Sequence, residues 1–196
     1  MPRPKQRTPE LRRRVLRASI ASLSRDGAAR FTTRSIATKA RTSTPAIYEL
    51  FGDKTGLVRE MFFEGFAMLG RHFDGLATTA DPRADLVALV RSFRAFIVAT
   101  PALAELMFSR RFAEFDPGPK ELAAGAAVRE LVVARVQRCI DARVIDGDAT
   151  DIALVLVSTT QGLAATELAG WLGRSRASRE RRWTLAIESL LSGLER

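Results

Sequence analysis

Three observations predict an all-α fold. Apolar residues recur at three- and four-residue intervals along most of the chain, no convincing run alternates with period two, and cap-plus-proline pairs open successive segments. Thr8-Pro9-Glu10 reads as a cap, a first-turn proline and a first-turn acid, and Leu16, Ile20 and Leu23 carry that helix to Gly27. Thr32 and Thr33 cap a second helix through Ala40, with Ile36 and Ala37 facing inward. After Arg41-Thr42, either Ser43 or Thr44 caps a short helix with Pro45 in its first turn. Gly52 stops it, and Asp53 caps a longer helix to about Leu76. Asp81-Pro82 and Thr100-Pro101 open helices over about 82–99 and 101–113. Phe115–Lys120, "FDPGPK", is a loop, and a helix runs on to about Val144. Asp146-Gly147-Asp148 turns the chain into a helix ending near Gly173, and a last helix covers about 177–194. The total is about nine helices, with no internal repeat and no long linker.

A chain of 196 residues, 46% of them hydrophobic, can bury a real core. The one cysteine, Cys139, forbids an intramolecular disulfide and fits a reducing cytosol. The basic start "MPRPKQRTPELRRRV" is followed by no apolar segment and is not expected to be a signal peptide. The longest strongly apolar run, Ile152 to Val157, is too short to span a bilayer, so a soluble cytoplasmic protein without a membrane partner is expected. The net charge of +9 is unevenly placed. Residues 1–59 hold 14 Lys and Arg against 4 Asp and Glu, which leaves 17 against 18 for the rest. Two readings follow: a polyanion-binding module on an ordinary globular body, or a solvated basic face.

The short helix Thr44–Phe51 discriminates between them. Ile47, Leu50 and Phe51 share one face, while Thr44, Pro45, Ala46, Tyr48 and Glu49 stay outside. A helix about 10–12 Å across fits the roughly 12 Å major groove of DNA, and small residues at its tip let the backbone approach base edges. With the preceding short helix it makes a helix-turn-helix. Thr33 and Arg34 open the first of these helices, where free backbone N–H groups favour a phosphate, and Arg34 is long enough to reach a guanine. Tyr48 can give its hydroxyl to a phosphate, and Lys54 adds a charge where the next helix begins. Glu49 is the awkward member, since phosphates repel it unless it meets a cytosine amino group.

The stretch "GAARFTTRSIATKARTSTPAIYELFGDKTGLV", Gly27 to Val58, resembles the DNA-binding domain of the tetracycline-repressor-like (TetR) family of bacterial transcriptional regulators. Thr32-Thr33, Ile36-Ala37, Ala40, Ser43, Ile47-Tyr48, Phe51, Lys54 and Leu57 carry the likeness. Arg41 departs from it, standing where the family usually has a glycine. The resemblance implies a helix-turn-helix domain over 1–54 and a ligand-binding and dimerisation domain over 55–196. It further implies a homodimer on a near-palindromic double-stranded operator, most often acting as a repressor. DNA contacts are expected at Thr33, Arg34, Arg41, Thr44, Pro45, Ala46, Tyr48 and Lys54.

The second part offers a dimer face and a pocket. The helix from residue 148 is apolar on nearly every side over Ile152–Val157 and then turns small, and the last helix carries an apolar stripe. Interface residues expected are Val155, Thr159, Gly162, Thr166, Trp183, Ile187, Leu190, Leu191 and Leu194, unless these simply complete the monomer core. Ser158–Leu172 also resembles the end of the domain type named for a tryptophan-histidine-glycine signature, with Val157 and Gln161 at the first two positions. An apolar wall of Phe66, Phe73, Phe93, Phe96 and Met107, with His72, Arg110, Arg111, Gln161 and Glu167 as polar candidates, suits a largely apolar inducer. No metal or cofactor is expected: one histidine and one distant cysteine make no metal site, and no catalytic triad, phosphate loop or carboxylate pair stands out. A constitutive or architectural DNA-binding protein without a ligand, or a small helical enzyme with a basic start, remain alternatives.

Overall fold

The computed structural model describes residues 8–109 and 115–195, apart from the side chain of Ala29. Among the described residues there are nine α-helices and no strand: α1 Pro9–Asp26, α2 Thr33–Lys39, α3 Thr44–Phe51, α4 Lys54–Asp74, α5 Pro82–Ala99, α6 Pro101–Phe108, α7 Pro119–Asp141, α8 Ala149–Leu168 and α9 Arg176–Ser192. The local signals set most of these ends. Thr8, Thr32 and Ser43 accept from the backbone N–H of Leu11, Ser35 and Ala46, and Asp53 accepts from Gly56 at 2.6 Å. Gly27 and Gly52 stop α1 and α3 with positive φ. Thr100 differs from expectation, because its side chain makes no cap bond at the start of α6. The expected continuation of α6 to 113 falls partly outside the described residues, since α6 ends at Phe108 and the description stops at Ser109. Among the described residues no single helix is long and apolar enough to cross a membrane.

The chain packs as two units, Met1–Ala67 with Thr100–Ala124, and Met68–Ala99 with Gly125–Arg196. In the first, α1 lies against α2 and α6, and α2 against α3. The inward stripe of α1 is Leu11, Val15, Ser19, Ser22 and Leu23, whereas Leu16 and Ile20, whose spacing marks the helix, are only half-buried. Two serines sit in that stripe because each hydroxyl finds an acceptor inside, Val15 O for Ser19 and Asp26 Oδ2 for Ser22. Phe62 meets Phe66 and Phe115, and Phe66 meets Phe108 edge-on. Gly65 leaves room for Met107, whose Sδ would stand 2.5 Å from an added Cβ.

In the second unit α5 packs along α8, burying Leu86, Phe93, Phe96, Ile152 and Leu156. Two polar knots tie it. Asp85, 4% exposed, accepts from the N–H and hydroxyl of Thr79 and from Arg138 at 2.7 Å, which pins the loop before α5. Arg138, with the Thr79 N–H, holds the Asp85 carboxyl down to about 2. Glu167 receives a two-pronged pair from Arg94 at 2.8 and 2.9 Å and the indole N–H of Trp183 at 2.8 Å. The Arg94 guanidinium also lies 4.7 Å from the Trp183 ring centre.

Candidate nucleic-acid interface

The residues expected to touch DNA sit on a frame that α1 builds. Arg14 Nε donates to Ala40 O at 2.8 Å, and Arg12 Nη1 donates to Leu50 O at 2.9 Å while Nη2 pairs with Glu60. Both carbonyls belong to helix ends, where no intrahelical donor reaches them. The Arg12 guanidinium also lies 4.8 Å from the Phe51 ring centre, so one side chain fixes the end of α3 twice. Lys39 pairs with Asp26 and with Ser22, which holds α2 to the end of α1. The Lys39 bond, seconded by Ser22, keeps the Asp26 carboxyl below its ordinary value.

Between α2 and α3 the turn carries Arg41 at φ +49°. The backbone there is nevertheless closed, since Arg41 N–H donates to Thr38 O and Thr42 N–H to Ala37 O. An arginine therefore adopts the left-handed conformation that glycine takes without strain, and its side chain is exposed. Ile47 and Phe51 of α3 are buried, whereas Leu50 is only half-buried. Pro45, Tyr48 and Glu49 are exposed, and Thr44 and Ala46 are half-exposed. The Tyr48 hydroxyl stands 3.3 Å from Thr33 Oγ1, so two helices place two hydroxyls side by side at the surface. Arg34 is exposed one residue on, and Lys54 is half-buried at the start of α4. The structure thus brings Thr33, Tyr48 and the α3 tip onto one head. The frame residues Arg12, Arg14 and Lys39 were not singled out by sequence, because their partners lie 38, 26 and 13 residues away.

The residues expected to line a pocket are distributed between the units. Phe66 and Met107 are buried in the first; Phe73, Phe93 and Phe96 are buried in the second, with Phe73 edge-on to Phe93. His72 is exposed and meets Phe96 edge-on, and Gln161 is half-buried. Arg110 and Arg111 lie outside the described residues. Glu167 is no open polar group, since Arg94 and Trp183 take both its oxygens.

The residues expected on the dimer face differ in exposure. Trp183, Ile187 and Leu191 are 4%, 5% and 1% exposed, buried inside their own unit, because this side of α9 supplies the indole for the Glu167 knot and the apolar wall behind it. Leu190, Leu194, Thr159 and Thr166 are half-buried, while Val155 and Gly162 are exposed. Leu154, Leu168 and Leu185, which sequence reasoning passed over, are exposed as well.

Comparison with known proteins gives the family. The family model described as "Tetracyclin repressor-like, C-terminal domain" matches residues 86–190, and that described as "Bacterial regulatory proteins, tetR family" matches residues 15–61. No curated protein is matched with significance. Among solved structures, a protein of unknown function from Rhodococcus sp. RHA1 is 27% identical, with a TM-score of 0.84 over 99% of this chain and 100% of that one. The TetR family transcriptional regulator PfmR from Thermus thermophilus is 19% identical, with a TM-score of 0.71 over 93% and 100%. A single-residue variant of TetR from Acinetobacter baumannii AYE, in complex with minocycline, is 20% identical, with a TM-score of 0.63 over 91% and 93%. With both family models matched in sequence order and together covering most of its length, the chain belongs to the tetracycline-repressor-like family of transcriptional regulators.

Proposed function

We propose that the chain is a homodimeric, ligand-responsive repressor, with residues 1–54 reading a near-palindromic double-stranded operator and residues 55–196 pairing the subunits and taking up a small, largely apolar inducer. The observation that carries the DNA half is the pair of hydroxyls on Thr33 and Tyr48, 3.3 Å apart beside the exposed Arg34. Both hydroxyls can donate to oxygens of one backbone phosphate, which fixes the depth of α3 in the major groove. Thr44, Pro45 and Ala46 then face base edges with little between backbone and bases, Arg34 reads a guanine, and Lys54 and Arg41 meet flanking phosphates. Inducer binding changes the spacing or freedom of the two heads, so that both no longer fit one operator. The minocycline complex of a relative with the same fold supports the inducer half. Within the second unit Phe73, Phe93 and Phe96 offer apolar surface for it, with His72 and Gln161 as polar partners. The site of action is the cytoplasm, and no catalysis is assigned.

Selecting bound duplexes from random DNA yields the operator, and two variants then test the head. Arg34→Ala should relax preference at one base pair by about 1–3 kcal/mol. Lys54→Ala should weaken all sequences alike and flatten the salt dependence. Uniform losses for both, with specificity intact, would remove Arg34 from the reading surface. Failure of the chain to enrich any duplex would overturn the whole assignment.

A further inference from the structure

We propose that the groove between α5 and α9 in the second unit binds a small apolar monocarboxylate, a single ring or short branched chain bearing one acid group. None of the residues proposed above for the inducer lines this groove, and the site does not rest on that reading. α9 runs antiparallel to α5 and is tied to it by long side chains near both ends. Arg83, near the start of α5, reaches Glu188 at 2.6 Å and Glu195 at 3.3 Å. Arg94, near its end, reaches Glu180 at 2.9 Å. The two arginines stand roughly 16 Å apart along the helix.

Between these bridges lies a groove of about 350 Å³ that opens to solvent. Its floor is Val90, Trp183 and Ile187, each 5% exposed or less. The space stays open because the rim residues are short: Val87 from α5 and Thr184 from α9 do not fill the gap between the two helices. Ligand pockets occupy roughly 300–1,000 Å³, so this one suits a small occupant.

The charges around the groove are taken up by one another, except at one position. Glu180 is held by Arg94 and Glu188 by Arg83. Arg94 is engaged three ways, by Glu167, by Glu180 and by the Trp183 ring. Arg91 lines the groove, is exposed, and makes no ion pair or hydrogen bond among the described residues. Thr184, on the α9 side, makes none either, whereas Thr38, Thr160 and Thr166 turn their hydroxyls back to the carbonyl four residues earlier. A guanidinium offers a carboxylate a planar two-pronged donor, and a free hydroxyl adds another. The apolar floor takes up the rest of such a molecule. Glu180 and Glu188 at the ends of the groove repel a second negative charge, which selects a monoacid. Inorganic phosphate leaves the floor empty, and an amine meets glutamates that are already held.

Titrating 3-phenylpropionate into the full chain carrying Trp171→Phe, with heat and Trp183 fluorescence as readouts, tests the site. Trp171 is 83% exposed, so replacing it spares the fold and leaves Trp183 as the reporting indole. Saturable binding with a Kd at or below about 1 mM is expected. It should be at least about tenfold tighter than that of 3-phenylpropionamide or 3-phenylpropylamine. Arg91→Ala should weaken it at least about tenfold, and Arg91→Lys by less, since an ammonium keeps the charge but loses the fork. Thr184→Leu fills the groove, so it should abolish binding while the melting temperature holds or rises. Equal binding of the amide or the amine overturns the carboxylate. Binding unchanged by both Arg91→Ala and Thr184→Leu overturns the site. So does a lack of saturation up to about 10 mM, and none of these results bears on the DNA-reading assignment.

Discussion

In the DNA-reading head, Arg14 ends on the carbonyl of Ala40 and Arg12 on that of Leu50 as well as on Glu60. In the second unit, Arg138 ends on the carboxylate of Asp85 and Arg94 on that of Glu167. The same side chain ties both regions, and the electrostatic result depends on which acceptor it meets. A carbonyl oxygen satisfies a guanidinium without cancelling its charge, so Arg14 serves as a strut and still contributes to the positive field of the head, whereas Arg12 and Lys39 also meet the carboxylates of Glu60 and Asp26. A carboxylate cancels that charge, so the Asp85–Arg138 and Glu167–Arg94 knots are short-ranged. The basic excess of residues 1–59 is therefore partly architectural: Arg12, Arg14 and Lys39 hold helices in place, and Arg34 and Arg41 remain on the surface.

Breaking one strut in each region tests that contrast. Glu167→Ala leaves the Arg94 guanidinium, 14% exposed, and the Trp183 N–H facing a lost acceptor. Arg94 keeps Glu180 at 2.9 Å, so the cost should be about 2–3 kcal/mol, less than for a buried charge left with no partner. Arg14→Ala loses one charge-assisted bond to the Ala40 carbonyl, and because the arginine side chain is itself exposed its place is left to water, at about 1–2 kcal/mol. Denaturant unfolding of both variants measures the difference. Equal costs would mean that the Glu167 knot is no more than a surface ion pair.

The next largest effect lies in the head. An added Cβ on Gly56 would stand 1.9 Å from the carbonyl oxygen of Phe51, which is backbone and cannot swing aside. Gly56→Ala should therefore destabilise the head by about 1–3 kcal/mol and tilt α3 away from its groove-reading position. Operator affinity should fall while the sedimentation behaviour stays that of the natural chain. Unchanged operator affinity would show that the α3–α4 turn has slack that its geometry does not reveal.

What was legible in the sequence was local. Caps at Thr8, Thr32, Ser43 and Asp53 are bonds across three residues, and their signature lies within the same few letters. The α3 face was equally legible, apart from Leu50, because burial there follows helical spacing. The full stripe of α1 was not legible, because it includes Ser19 and Ser22, polar residues buried with internal acceptors. The α9 stripe was legible, but whether it served a partner or the monomer core was not. Spacing shows which residues share a face, and only the fold shows that the Glu167–Arg94 knot, 73 residues apart in sequence, claims that face for the monomer. Arg12 and Arg14 were invisible for the same reason, since a carbonyl acceptor leaves no mark in a sequence.

The smallest effect is the one that separates a strut from a surface charge most cleanly. Arg41 sits at φ +49° in the turn between α2 and α3, where a Cβ is strained and glycine is not. Arg41→Gly relieves that strain but also loosens the unfolded chain, and the two effects leave a net gain in folding stability below about 1 kcal/mol. The turn itself should survive, because its bonds to Ala37 O and Thr38 O come from the backbone. If the arginine is kept for a phosphate, the same substitution should weaken every duplex by a similar factor and lower the salt slope by about one counterion. Folding and binding then move in opposite directions from one change, which no loss of structure can imitate. Gel-shift titrations over a range of salt concentrations, beside a thermal melt, read both. A salt slope unaltered by Arg41→Gly would return Arg41 to the solvated surface.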